Sequence, residues 1–145
     1  MRTRSGVGFG AAAALLAVLG VPAPAQADHT PIPTQVTLVG SLQSELGCPG
    51  DWQPECVQTG LQPVDGRPGV FRGTFTPPAG GYEYKVALGG SWNENYGAGG
   101  APGGANIPLT AAGDPITFTY DHATHRITDD TPKVLGSERA AHWVR

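Results

Sequence analysis

The chain has 145 residues, 14 % of them charged, with 22 Gly, 14 Pro, 2 Cys and a formal net charge of −3. That length rules out a complete α/β barrel of about 250 residues, and the acidic balance argues against nucleic acid, whose phosphates call for clustered basic side chains. Few charges and many turn-formers disfavour long helices and suit short strands.

The first 27 residues read as an export signal. Arg2 and Arg4 form a basic start, residues 7–21 are an apolar run rich in alanine and leucine, and Ala25-Gln26-Ala27 is a small-x-small cleavage site. The run is shorter than the roughly 20 apolar residues that span a membrane, and Pro22 and Pro24 follow it, so cleavage is favoured over anchoring. A mature chain beginning at Asp28 keeps 118 residues, with 7 Lys/Arg against 12 Asp/Glu. It is expected to be secreted, without membrane association after cleavage.

Residues 28–34 are a short linker, and a first strand runs over residues 35–43 (Q-V-T-L-V-G-S-L-Q), followed by a tight turn or short helix at 44–47. Cys48 and Cys56 then bracket C-P-G-D-W-Q-P-E-C. In an oxidising compartment they are expected to pair, with a chain-entropy gain of about 2.5 kcal/mol. A short strand at 61–64 and turns at Asp65-Gly66 and Pro68-Gly69 lead into residues 70–76, where Val70, Arg72 and Thr74 alternate with Phe71, Gly73 and Phe75. After Pro77-Pro78-Ala79-Gly80-Gly81, residues 82–88 place Tyr82, Tyr84, Val86 and Leu88 on one face and Glu83, Lys85 and Ala87 on the other. The large set is expected to face the core, leaving Lys85 outside.

Next comes G-G-S-W-N-E-N-Y, with Trp92, Asn93, Asn95 and Tyr96 entering the glycine-rich loop 97–104. A flat aromatic beside planar amides is what a sugar ring needs, because the ring offers a weakly apolar face and a rim of hydroxyls. Residues 106–110 resume an extended pattern, and 116–120 with 125–128 form a closing hairpin. About seven short strands without a helical period predict an all-β, immunoglobulin-like β-sandwich over residues 35–131. From Pro132 the pattern breaks, and residues 132–145 read as a tail leading into a further domain.

Five motifs in order carry a family resemblance: G-S-L-Q-S-E-L-G-C-P-G-D-W at 40–52, Y-E-Y-K at 82–85, S-W-N-E-N-Y-G at 91–97, N-I-P-L at 106–109 and Y-D-H-x-T-H at 120–125. The chain resembles the non-catalytic module near the N-terminus of bacterial pullulanases, related to the starch-binding modules of the Sus outer-membrane proteins. The tail P-K-V-L-G-S-E-R-A-A-H-W-V at 132–144 is similar to the segment joining such a module to the next domain. Glycogen- and starch-binding sandwiches also show a tryptophan after the first strand, a lysine on the Y-x-Y-K strand, a tryptophan seven residues on and an asparagine past the next loop. Trp52, Lys85, Trp92 and Asn106 follow that order. The resemblance implies α-glucan as partner, bound at Trp52, Lys85, Trp92 and Asn106, to which the aromatic-and-amide pattern of the residues adds Asn95 and Tyr96, in a monomer or a part of a larger polypeptide. A structural spacer that orients a neighbouring domain is the alternative.

No cofactor is expected. Asp121, His122 and His125 invite a metal reading, but no third strong ligand is spaced along the chain to complete a tetrahedral site, and no acidic loop of calcium-binding pattern is present. For glycoside hydrolysis the candidate carboxylates are Glu83 and Glu94, neither set in an apolar patch. Ser41, Ser44 and Ser91 have no nearby His and Asp in a nucleophile arrangement, so catalysis is not expected.

Overall fold

The computed structural model describes residues 30–133. The proposed export signal and most of the tail lie outside the described residues. Eight antiparallel strands build the domain: β1 (Val36–Gly40), β2 (Gly60–Pro63), β3 (Val70–Phe75), β4 (Gly80–Leu88), β5 (Glu94–Tyr96), β6 (Ile107–Ala111), β7 (Ile116–Asp121) and β8 (Arg126–Asp129). Three single turns of 3-10 helix, Ser44–Leu46, Val57–Thr59 and Ala98–Gly100, sit in the connections. Among the described residues no helix is long and apolar enough to cross a membrane.

The strand order is β5-β4-β1-β2-β3-β7-β8, with β6 also pairing β4. Strand β4 is the organiser because its nine residues serve three partners. One edge pairs with β1 over Tyr84 to Leu88; the other pairs with β6 over Gly80 to Tyr84 and with β5 over Val86 to Leu88. Strand β2 bonds β1 through Gly60 and Leu61 and β3 through Gln62 and Pro63, so the sheet folds over on itself at that strand. The expected all-β sandwich is present. Its eighth strand, β5, falls where the sequence suggested only loop.

Alternation sets the core. Tyr84, Val86 and Leu88 of β4 are buried and meet Ile116, Phe118 and Tyr120 of β7, with the Tyr84 and Phe118 rings edge to face at 5.1 Å. Tyr82 is only partly buried and packs against this core, its hydroxyl donating to the Pro78 carbonyl. Lys85 stands on the opposite face, half-buried, and burial pulls its ammonium pKa below the ordinary value.

The segment after β1 folds around one amide. Gln43 is fully buried. Its carbonyl oxygen accepts the Gln53 and Gly40 N–H groups at 2.7 and 3.3 Å, and its amide nitrogen donates to the Gln53 carbonyl and the Thr59 hydroxyl at 2.9 and 3.0 Å. Thr59 in turn donates to the Leu38 carbonyl at 2.8 Å, beyond the point where β2 leaves β1. Cys48 and Cys56 are joined in a disulfide with a Cα–Cα separation of 6.0 Å. Amide and disulfide together hold the loop that carries Trp52.

From the middle of β4, Tyr84 donates to Asp129 at 2.6 Å, and the same carboxylate takes hydrogen bonds from Thr131 and from Lys133, the latter at 2.8 Å. Burial alone would raise the Asp129 pKa, but the bonds from Lys133, Thr131 and Tyr84 outweigh it and hold the carboxyl below its ordinary 3.8. A depressed carboxyl stabilises the fold fully above the unfolded value and loses that contribution as pH falls through the folded one. Urea unfolding from pH 7 down to about pH 3 should therefore show stability falling below about pH 4. Asp129→Asn should lower stability at pH 7 and flatten that acid limb; an unchanged acid limb in the variant would contradict the assignment.

Candidate functional site

Strand register settles which expected residues share a surface. Opposed residues in an antiparallel pair point to the same side, so the face of β4 turned away from Tyr84, Val86 and Leu88 carries exposed Glu83, half-buried Lys85 and fully buried Ala87. Val39 lies opposite Lys85, and Thr37 and Asn95 flank Ala87 from either side; Val39 and Thr37 are themselves fully buried, so the accessible part of this face is at Glu83 and Lys85. Beyond β4 the chain bends through Gly89 and Gly90, both at positive φ, and brings Trp92 back over the same face. The Lys85 ammonium stands 5.9 Å from the centre of the indole ring, within cation–π range. Trp92 is 41 % exposed, more than is usual for so large an apolar side chain.

Two amides support this arrangement. Asn95 donates to the Trp92 carbonyl at 2.9 Å and pins the bend; its own amide oxygen is shielded and has no partner among the described residues. Asn106 donates to the Glu83 carboxylate at 3.0 Å, joining the segment before β6 to the outward face of β4. Ser41 completes that corner: its N–H donates to the Glu83 carbonyl and its hydroxyl accepts the Glu83 N–H, both at 3.0 Å. A shallow groove lined by Ser41, Tyr82, Glu83, Pro108 and Thr110 continues from it.

Trp52 lies in the cystine loop, its N–H bonded to the Gly40 carbonyl at 3.2 Å. Gly40 pairs with Tyr84, one residue from Lys85. The ring is half-buried and the backbone adopts φ 56°, a left-handed conformation rare for a bulky residue. Such strain persists only where the surroundings enforce it; here the Gln43 network and the disulfide do so.

Tyr96 is placed differently from the other five. It is 5 % exposed and belongs to the core cluster, because it opposes Val86 and so points inward. Its hydroxyl donates to Glu94 at 2.5 Å, and its ring stacks on His125 with centres 3.9 Å apart. It offers no open platform to a sugar. Glu94 opposes Leu88 and also points to the inner side, whereas Glu83 points outward. The two carboxylates considered for hydrolysis therefore lie on opposite faces of the sheet and do not confront each other across a cleft, as a glycosidase pair must.

Three features escaped sequence reasoning: the Gln43 hub, the Glu83–Asn106 bond and the inward turn of Glu94. Each depends on pairing between distant segments. A polar glutamine inside an apolar strand pattern was the one available hint, since a buried polar group needs partners. A cleft of about 130 Å³ between β1 and β2, lined by Gln35, Val57 and Leu61 among others, contains none of the expected site residues.

The pullulanase X25 domain family matches residues 35–127. An amylopullulanase of Thermoanaerobacterium thermosulfurigenes is 41 % identical over 108 residues, which is 73 % of this chain and 6 % of that protein. One from Thermoanaerobacter thermohydrosulfuricus is 40 % identical over 119 residues, 79 % of this chain and 8 % of that one. A solved pullulanase from Bacillus acidopullulyticus superimposes with a TM-score of 0.59 at 34 % identity, over 72 % of this chain and 13 % of that structure. The chain thus spans only a small fraction of the length of these relatives.

Proposed function

Because the chain belongs to the pullulanase X25 domain family, we propose that it is a secreted, non-catalytic module that holds α-glucan for a debranching enzyme. The observation that carries this reading is the exposed Trp92 ring with the Lys85 ammonium 5.9 Å from its centre, on the side of β4 that also carries the exposed Glu83–Asn106 pair. A glucose unit would stack on the indole. Its hydroxyls would meet Lys85 and the Glu83–Asn106 pair, Asn95 would keep the indole in place, and Trp52 would supply a second ring along the glucan.

The surface is shallow, and each hydrogen bond to sugar replaces one to water, for a net gain of about 1 kcal/mol. Affinity for a short oligosaccharide should then be on the order of 0.1–1 mM. Tethering to an enzyme that grips the same polymer would raise the effective affinity without new contacts.

Affinity electrophoresis through soluble starch tests the proposal. The wild-type chain should be retarded, and Trp92→Ala should abolish most of the retardation, since loss of a stacked aromatic corresponds to about a tenfold weakening. Unretarded migration of a folded wild type would overturn glucan binding and leave a spacer that orients its neighbour.

A further inference from the structure

The inner side of β5 carries a second constellation, unrelated to the outward sugar surface. Glu94, His122 and His125 each offer a ligand atom, and these atoms lie within 4.8 Å of one another. The third strong ligand missing from the local D-H-x-T-H spacing thus arrives from a strand some thirty residues earlier in the chain. We propose that these three side chains form a binding site for one divalent transition-metal ion of the zinc type, which clips the two ends of the folded sheet together.

Each ligand is held by a neighbour. The Tyr96 hydroxyl donates to Oε2 of Glu94 at 2.5 Å, which fixes the carboxylate in place. The Tyr120 hydroxyl lies 2.8 Å from Nδ1 of His122, so Nε2 is the ligating nitrogen there. His125 is stacked on the Tyr96 ring and its Nε2 is buried with no hydrogen-bond partner among the described residues. A shielded imidazole nitrogen without a partner is costly unless something binds it. His125 also adopts φ 63°, left-handed for a non-glycine residue, enforced by its N–H bond to the Asp121 carbonyl at 2.7 Å. That backbone conformation brings both histidines of one tight turn to the same point.

The donor set selects the ion. Two imidazoles and one carboxylate suit zinc and its neighbours in the first transition row and disfavour calcium or magnesium, which prefer oxygen alone. Zinc–nitrogen bonds of about 2.0–2.1 Å in a tetrahedron place ligand atoms about 3.4 Å apart, so modest side-chain rotation closes the site, with water as fourth ligand. Oriented outer-shell partners of the kind seen on Glu94 and His122 are typical of metal ligands.

Position explains the benefit. Strands β5 and β8 terminate the strand order at opposite ends; Glu94 begins β5, and the two histidines lie in the turn between β7 and β8. An ion there joins edges that no backbone ladder connects.

The test uses the untagged chain, stripped with chelator and titrated with zinc chloride by calorimetry and with cobalt chloride by visible absorption. One ion per chain, tetrahedral cobalt bands and a melting midpoint raised on the order of 10 °C at a hundredfold excess over Kd are expected. Glu94→Gln and His125→Ala should each weaken binding beyond the roughly 10–100-fold that loss of an outer-shell partner costs. His29→Ala with His142→Ala, at the two other histidines of the sequence, should leave it intact. The near-isosteric Glu94→Gln keeps the test valid if His125→Ala fails to fold. Binding as tight in Glu94→Gln as in wild type, or no binding by the wild type, would overturn the site and leave a hydrogen-bonded Glu–His cluster.

Discussion

Gln43→Leu is expected to remove about 3–5 kcal/mol of stability, a large part of the roughly 5–15 kcal/mol that holds an ordinary domain folded. The volume change is small, so the effect isolates hydrogen bonding. In the native domain both lone-pair positions and both N–H groups of the amide are used, by Gly40, Gln53 and Thr59. Leucine would leave the Gly40 and Gln53 N–H groups and the Gln53 carbonyl without the amide, each at about 1–3 kcal/mol and not additively, while the Thr59 hydroxyl keeps its bond to the Leu38 carbonyl. Urea denaturation reads the loss directly. A change below about 1 kcal/mol would show that water replaces the amide and that the network is not what orders the cystine loop.

The second large effect is expected at Gly97. Its φ of −118° is not left-handed, but with ψ −144° the backbone falls outside the regions side chains favour; the larger constraint is space. A Cβ there would lie 2.2 Å from the Ala105 carbonyl oxygen and 2.6 Å from the Gly104 carbonyl carbon. These are backbone atoms, tied by the Ala98–Ala105 hydrogen bond of 2.8 Å and unable to yield cheaply. Gly97→Ala should cost about 3 kcal/mol, at the upper end of overpacking effects. Gly99→Ala is the control: φ is +71° but nothing lies within 4 Å, so only backbone strain of about 1–2 kcal/mol applies. Equal costs in thermal melts would refute close packing as the reason for glycine at 97.

These two residues also mark the limit of what the sequence reveals. The alternation of Tyr84, Val86 and Leu88, and of Ile116, Phe118 and Tyr120, was legible because burial of one sheet face imposes a period of two. The all-β architecture followed from it. The run G-A-G-G-A-P-G-G was legible as a loop, but the need for Gly97 within it was not, since that need arises from a chain segment returning within van der Waals distance. Strand β5 was hidden because three residues are too few to show a period. With β5 unseen, Tyr96 was grouped with its neighbours Trp92 and Asn95, although adjacent strand residues point to opposite faces. The same one-residue parity sends Glu94 and Tyr96 inward to the histidines and leaves Asn95 on the side of Lys85 and Ala87. Trp92 and Lys85, in contrast, were brought together by a spacing that the sequence displays openly.

The central claim is that α-glucan lies along the outward face of β4, and amide NMR during titration with maltoheptaose tests it most directly. The account predicts saturable shifts in the Trp92 indole N–H, the Asn95 and Asn106 side-chain amides and the backbone of residues 83–87, with the amides of Glu94 and His125 on the inner side left in place. A folded domain that shows no shifts up to about 10 mM sugar, or shifts gathered at the cleft between β1 and β2 instead, would contradict it.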